Sequence, residues 1–146
     1  MVVRRLLSTI AVLALAGIVV SAVSLQRHYA KSASRFCDIA ESFNCDIVNR
    51  SEYSSVMGIP VAAIGVVGYG ALLALATTYR SGPNAPIRLL LVAGAGLAFA
   101  LYLTYVEGFV LGTWCILCLS SLALIATITT LAGVLQARAR QTTKHA

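Results

Sequence analysis

Four cysteines stand in this sequence as two pairs, and their spacing limits the chemistry they can do. Cys115 and Cys118 lie three residues apart in the apolar run "FVLGTWCILCLSS". Cys37 and Cys45 lie in the polar run "RFCDIAESFNCDIVNRSEYSS". Three readings fit the first pair: small apolar residues of a membrane helix, part of a zinc site completed by Cys37 and Cys45, or a redox dithiol. Four-cysteine zinc sites usually use two tight knuckles, and the 37–45 spacing is loose, so no metal is expected. Positions three apart share a helical face, close enough to make and break a disulfide. A helix N-terminus stabilises a thiolate through its dipole and free N–H groups. That argument predicts a lowered pKa for Cys115 in particular. The loop pair reads either as a structural disulfide or as a shuttle. A shuttle would take electrons from a soluble dithiol and pass them to Cys115 by thiol–disulfide exchange.

The elements that must hold these residues are apolar. Of the 146 residues, 59% are hydrophobic and 11% charged, against about 45–50% and about 25% in soluble domains. A core of this size cannot hide so much apolar surface, so lipid is the expected solvent. The net charge of +6 gathers at the ends and in the loops. That is a membrane-topology pattern and not a nucleic-acid-binding patch. Four apolar runs follow one another, roughly Leu6–Leu25, Val56–Tyr79, Ile87–Val106 and Trp114–Leu135. Each approaches the ~20 residues that cross a bilayer, and a lone span must satisfy its own backbone as a helix. The expected fold is therefore all-α: an integral membrane four-helix bundle, one domain over residues 1–146, with a long extracytoplasmic loop between helices 1 and 2. Small residues in "GVVGYG" and "AGAGLA" suit close helix packing. Pro60 suits the first turns of the second helix.

Basic residues set the orientation. Arg4 and Arg5 precede the first run, Arg80 and Arg88 flank the second loop, and Arg138, Arg140 and Lys144 follow the fourth run. The first loop mixes both signs, and the third holds only Glu107. The positive-inside rule then places both termini in the cytoplasm. All four cysteines fall on the outer, oxidising side. The N-terminal run also has the make-up of a signal peptide. Its cleavage would leave three spans, but its length favours a retained span. Electrons arriving at the bilayer edge need an acceptor, and a lipid-soluble quinone is the natural one.

The same residues resemble the vitamin K epoxide reductase family. The match runs through Cys37, "DIAESFN" and Cys45, then Ser51, "GIPVAAIGVVGYG", "YLTYVEGFVLGTWCILC" and "LSSLA", over roughly residues 5–136. The resemblance implies a helical bundle around a quinone (ubiquinone, menaquinone or phylloquinone), with the first loop as a cap. It implies electron flow from a thioredoxin-like disulfide oxidoreductase to Cys37 and Cys45, then to Cys115 and Cys118. By position, Cys37 would meet the partner, Cys45 would exchange with Cys115, Cys118 would lie nearest the quinone, and Ser51 would support the loop pair by hydrogen bonding.

The chain departs from the animal epoxide reductases at two contacts to the naphthoquinone head group. Leu122 stands where they carry a tyrosine, and Ser54 and Ser55 fall in the region of their asparagine. Both departures argue against epoxide reduction. The sequence ends about ten residues after the last run, so the thioredoxin-like partner is expected to be separate. Ser54, Ser55 and Leu122 are candidate quinone contacts, and so is Tyr102, through its hydroxyl. Glu107 reads as a solvated loop acid, with proton handling as the alternative.

The expectation is thus a membrane thiol–quinone oxidoreductase that drives disulfide bond formation. Two alternatives stand beside it: a vitamin K epoxide or quinone reductase that recycles a naphthoquinone, and a non-enzymatic membrane subunit with static disulfides. Residue usage and the "GIP" helix start point to a bacterial inner membrane.

Overall fold

A computed structural model describes residues 1–30, 38–40, 42–79 and 84–144; Cys37 and Arg80 lie outside them. Among the described residues, three helices are long and apolar enough to cross a membrane: Val2–Tyr29, Ala85–Leu111 and Ile116–Lys144. Helix α1 (Val2–Tyr29) has no proline. Helix α4 (Ala85–Tyr105) begins with Pro86 in its first turn, where the missing N–H has no intrahelical partner to lose. It runs on into a π-helical turn, Val106–Leu111. Helix α5 (Ile116–Lys144) follows.

The second apolar run differs from expectation. Helix α3 covers Val61–Thr77, 17 residues, because residues 55–60 form a hairpin instead. Strands β3 (Ser55–Val56) and β4 (Ile59–Pro60) pair antiparallel, and Pro60 stands just before α3 as its cap. Met57 and Gly58 make the turn with φ of 54° and 82°, the double-positive geometry that matches strand twist in a tight hairpin.

Helix α1 packs along α3 and α5, and α4 packs along α5 and α3. Close approach depends on particular small residues. A Cβ on Gly17 of α1 would fall 2.3 Å from the Tyr69 ring of α3, and one on Gly65 would fall 2.7 Å from Ser21 Oγ. Gly96 of α4 sits against Ile125 of α5. The Thr129 hydroxyl donates to the Ala93 carbonyl at 3.1 Å, tying α5 to α4. Other span hydroxyls turn back on their own helix, as Thr104 does to Ala100 and Thr127 to Ala123, which pairs those donors inside the apolar spans. The core between helices is apolar, with Ile10, Leu72, Leu89 and Ile128 fully buried. The outside is apolar too: Val12, Val67, Leu91 and Leu101 are exposed. A surface of that kind suits lipid.

The described part of the segment between α1 and α3 is folded. Strands β1 (Asp38–Ala40) and β2 (Phe43–Asn44) pair antiparallel. Helix α2 (Cys45–Arg50) follows, then a 3₁₀ turn, Glu52–Ser54. The Asn44 side chain caps α2 by accepting the Asp46 and Ile47 N–H groups, as N-cap asparagines do. Helix α2 is tied to the end of α1: the Ser24 hydroxyl donates to Asn49 Oδ1 at 2.8 Å, the His28 ring meets the Asn49 carbonyl, and Arg50 donates to the Ala30 carbonyl.

Candidate functional site

Two backbone devices bring the cysteines together. Phe43 forms a parallel bridge with Trp114. The Asn44 N–H donates to the Trp114 carbonyl, and the Trp114 N–H donates to the Ser42 carbonyl. The chain just before Cys45 is thereby stitched to the chain just before Cys115. The second device is the end of α4. Gly112 takes the left-handed conformation, φ 62°, and the Gly112 and Thr113 N–H groups both donate to the Glu107 carbonyl. A residue with a Cβ is strained at that φ. The tight closure returns the chain so that Cys115 arrives beside Glu107.

Cys115 lies one residue ahead of α5, and its carbonyl accepts the Leu119 N–H. It is therefore the cap of the helix and not its first residue. Cys45 and Cys115 are both 0% exposed and pack together with Val48, Leu111 and Leu117. Cys118 is partly buried against the same cluster. Cys115 and Cys118 are thiols, with no bond between them. Cys115 hydrogen-bonds both Cys118 and Cys45, and Cys118 also hydrogen-bonds Glu107. The four side chains form a continuous line, Cys45–Cys115–Cys118–Glu107.

The electrostatics overturn one expectation. The Cys115 thiol is pushed up, not down. The main cause is its hydrogen bond to Cys118, with burial adding to it and the hydrogen bond from Cys45 working against it. Here a donated S–H favours the neutral form. The helix N-terminus acts in the expected direction, through the Cys118 backbone N–H, but it is the smallest of these effects. The Cys115 N–H itself donates to Glu107 Oε2 at 3.1 Å. Glu107 is likewise no solvated loop acid. It is 2% exposed, and its Oε1 is buried without a hydrogen-bond partner.

Cys118 and Glu107 line a cavity of about 450 Å³ between the long helices and under α2. Its walls are largely apolar, from residues such as Leu72, Phe99 and Leu103. Gly65, Gly68 and Gly96 widen it by having no side chain. Polar groups are few: Ser24, Asn49 and Tyr69 among them. The Tyr69 hydroxyl donates to the Ser121 carbonyl at 2.9 Å. Asn49 Nδ2 is buried without a partner. An apolar cavity with an orphaned donor, Asn49 Nδ2, and an orphaned acceptor, Glu107 Oε1, fits a flat apolar ring that carries carbonyl oxygens when oxidised and hydroxyls when reduced. Asn49 and Glu107 are the residues that would hold a quinone head.

Of the expected quinone contacts, only Ser54 lines this cavity. Its hydroxyl donates to the Ser51 carbonyl at 2.6 Å. Ser55 lies in the β3–β4 hairpin, and Leu122 is half-buried outside the lining. Tyr102 is 56% exposed and faces outward; Tyr105 and Phe109 stack on each other at 4.9 Å on the same exterior. Ser51 lines the cavity, but its hydroxyl donates to the Val48 carbonyl at 2.8 Å, at the end of α2. The residues that sequence reasoning passed over are Tyr69, Asn49 and His28. Tyr69 carried a signal, since a polar tip inside an apolar span needs an internal partner; Asn49 and His28 carried none. The sequence model of the vitamin K epoxide reductase family matches residues 8–132, and the chain belongs to that family.

Proposed function

We propose that this protein passes electrons from a separate thioredoxin-like partner through Cys37 and Cys45, then through Cys115 and Cys118, to a quinone, and so drives disulfide formation outside the cytoplasm. Family membership makes the chain an integral membrane oxidoreductase working between thiols and quinones. The proposal adds the direction, the partner and the order of the cysteines. It also adds four spans in a bacterial inner membrane, with the cysteines on the periplasmic side.

The observation that carries it is the buried line from Cys45 through Cys115 to Cys118, ending on the cavity wall. Cys45 and Cys115 are adjacent and sealed from solvent, as exchange between the loop pair and the helix pair requires. Cys118 alone of the three faces the cavity. A quinone held there supplies a two-electron, two-proton acceptor. Oxidation of the Cys115–Cys118 dithiol forms one S–S bond and releases two electrons and two protons, which matches that demand.

The experiment is quinone-linked oxidation of a reduced thioredoxin-like protein by purified variants. Cys115→Ala and Cys118→Ala should each abolish it, and full activity in either would refute the mechanism. Cys37→Ala should lose activity with the protein partner but keep it with dithiothreitol, which can reduce the helix pair directly. In Cys118→Ala a Cys45–Cys115 mixed disulfide should accumulate; two static disulfides exclude it.

A further inference from the structure

The mechanism above leaves one buried ionisable group unused. Glu107 is the only carboxylate on the cavity wall among the described residues. Its two oxygens have different surroundings. Oε2 accepts the Cys115 N–H, while Oε1 is buried with no partner. The carboxylate also hydrogen-bonds Cys118, the cysteine that faces the cavity. Burying a carboxylate is costly without compensation, and a helix cap alone needs no ionisable group, since Asn or Ser would serve.

We infer that Glu107 is a catalytic residue that accepts the proton of the Cys118 thiol on its carboxylate and releases it into the cavity. The inference rests on the proposed function. When Cys115 and Cys118 join, both S–H bonds break and one S–S bond forms. The electron pair goes to the quinone. Cys118 hands its proton to Glu107, and the Cys115 proton follows along the hydrogen bond from Cys115 to Cys118. The Glu107 carboxylate carries each proton in turn to the cavity, where the reduced quinone consumes both. The other ionisable groups around this position are Cys45 behind Cys115, and His28, Tyr53 and Tyr69 on the cavity wall. Tyr69 is committed to Ser121. His28 is held by Asn49 and Ser54 on α2 and the turn after it. Among the described residues, Glu107 is the ionisable group of the cavity wall that hydrogen-bonds Cys118 besides Cys115, so it is the group placed to take the proton.

Glu107→Gln separates this role from a structural one. The glutamine oxygen keeps the Cys115 N–H bond and the volume, but it cannot accept a proton. With dithiothreitol as reductant and a short-chain ubiquinone as acceptor, kcat should fall about a hundredfold, the usual scale of general acid–base catalysis. The acid limb of the wild-type pH profile should disappear, and thermal stability should not change. A variant with wild-type kcat and pH profile would overturn the inference and leave Glu107 as a helix cap. A second readout needs no quinone. Chemical reduction of the Cys115–Cys118 disulfide should perturb a carboxyl band in the infrared difference spectrum, and Glu107→Gln should lack that band. If the wild type reduces no quinone, the proposed function fails, and the infrared arm still decides whether Glu107 answers to the thiols. Absence of the band in the wild type would overturn its proton role.

Discussion

Cys115 sits between two thiols, and both act on its reactivity. Its S–H is held by Cys118, and that contact is the largest reason its pKa lies above the ordinary thiol value. The thiolate is the nucleophile, so alkylation of Cys115 should lag behind that of an ordinary cysteine as pH rises. In Cys118→Ala the main raising contact is gone, and the Cys115 reaction should move to lower pH. Site-resolved mass spectrometry of iodoacetamide labelling across pH checks this; an unchanged Cys115 profile in the variant would refute the assigned cause. The sign carries over to stability. A folded pKa raised above the unfolded one favours the fold where the thiol is neutral. The contribution is whole below the ordinary thiol pKa and is lost progressively as pH rises above it. Sequence reasoning found this dithiol because spacing and topology carry it, but it missed the sign of the pKa. A helix N-terminus is visible in the sequence, whereas the Cys115 S–H contact with Cys118 that outweighs it depends on side-chain placement, which the sequence does not carry.

At the scale of elements, the cavity exists because α1 and α3 meet closely at one level and part at another. The close level is Gly17 against the face of Tyr69. Tyr69 then spans to Ser121 on α5, so one side chain joins three helices. Gly17→Ala would set a methyl group 2.3 Å from the ring. The expected cost is about 1–3 kcal/mol, as for overpacked cores, read as a lower unfolding midpoint in detergent together with weaker quinone binding as Tyr69 shifts. A midpoint and a quinone affinity both equal to wild type would contradict this account of the cavity. The helices themselves were legible as apolar runs, and the small residues in them as packing sites. Which glycines approach a neighbour was not: Gly65 and Gly96 do, while Gly68, Gly70 and Gly94 meet nothing within 4 Å. Helical phase decides that, and a run apolar on every side carries no phase. For the same reason Tyr102 passed for a buried ligand contact although it faces outward.

The whole molecule has two unlike ends. Ser24 and His28 of α1, all of α2, Glu107 and the start of α5 gather at one. Gly17 meets Tyr69 while Ser21 meets Gly65, so α1 and α3 run antiparallel. Ala93 meets Thr129 while Gly96 meets Ile125, so α4 and α5 do too. Arg4, Arg5, Arg88, Arg138, Arg140 and Lys144 therefore collect at the end opposite the cysteines. That separation is what the positive-inside rule asks of a chain whose cysteine end faces outward. The open quantity is α3, whose 17 residues extend about 25 Å at 1.5 Å per residue, short of the ~30 Å hydrocarbon thickness. A short span can still cross where the bilayer thins or flanking groups reach the interface. The β3–β4 hairpin stands at its N-terminal end and adds no helical length. If α3 crosses, the chain makes four passes and its two termini share a side; with three passes they do not. Fluorescent-protein fusions at either terminus should both be bright in a bacterial host, and a phosphatase inserted at the Met57–Gly58 turn should be active. A dark C-terminal fusion beside a bright N-terminal one would reduce the chain to three spans. The cysteine end could then no longer be assigned to the oxidising side by counting passes.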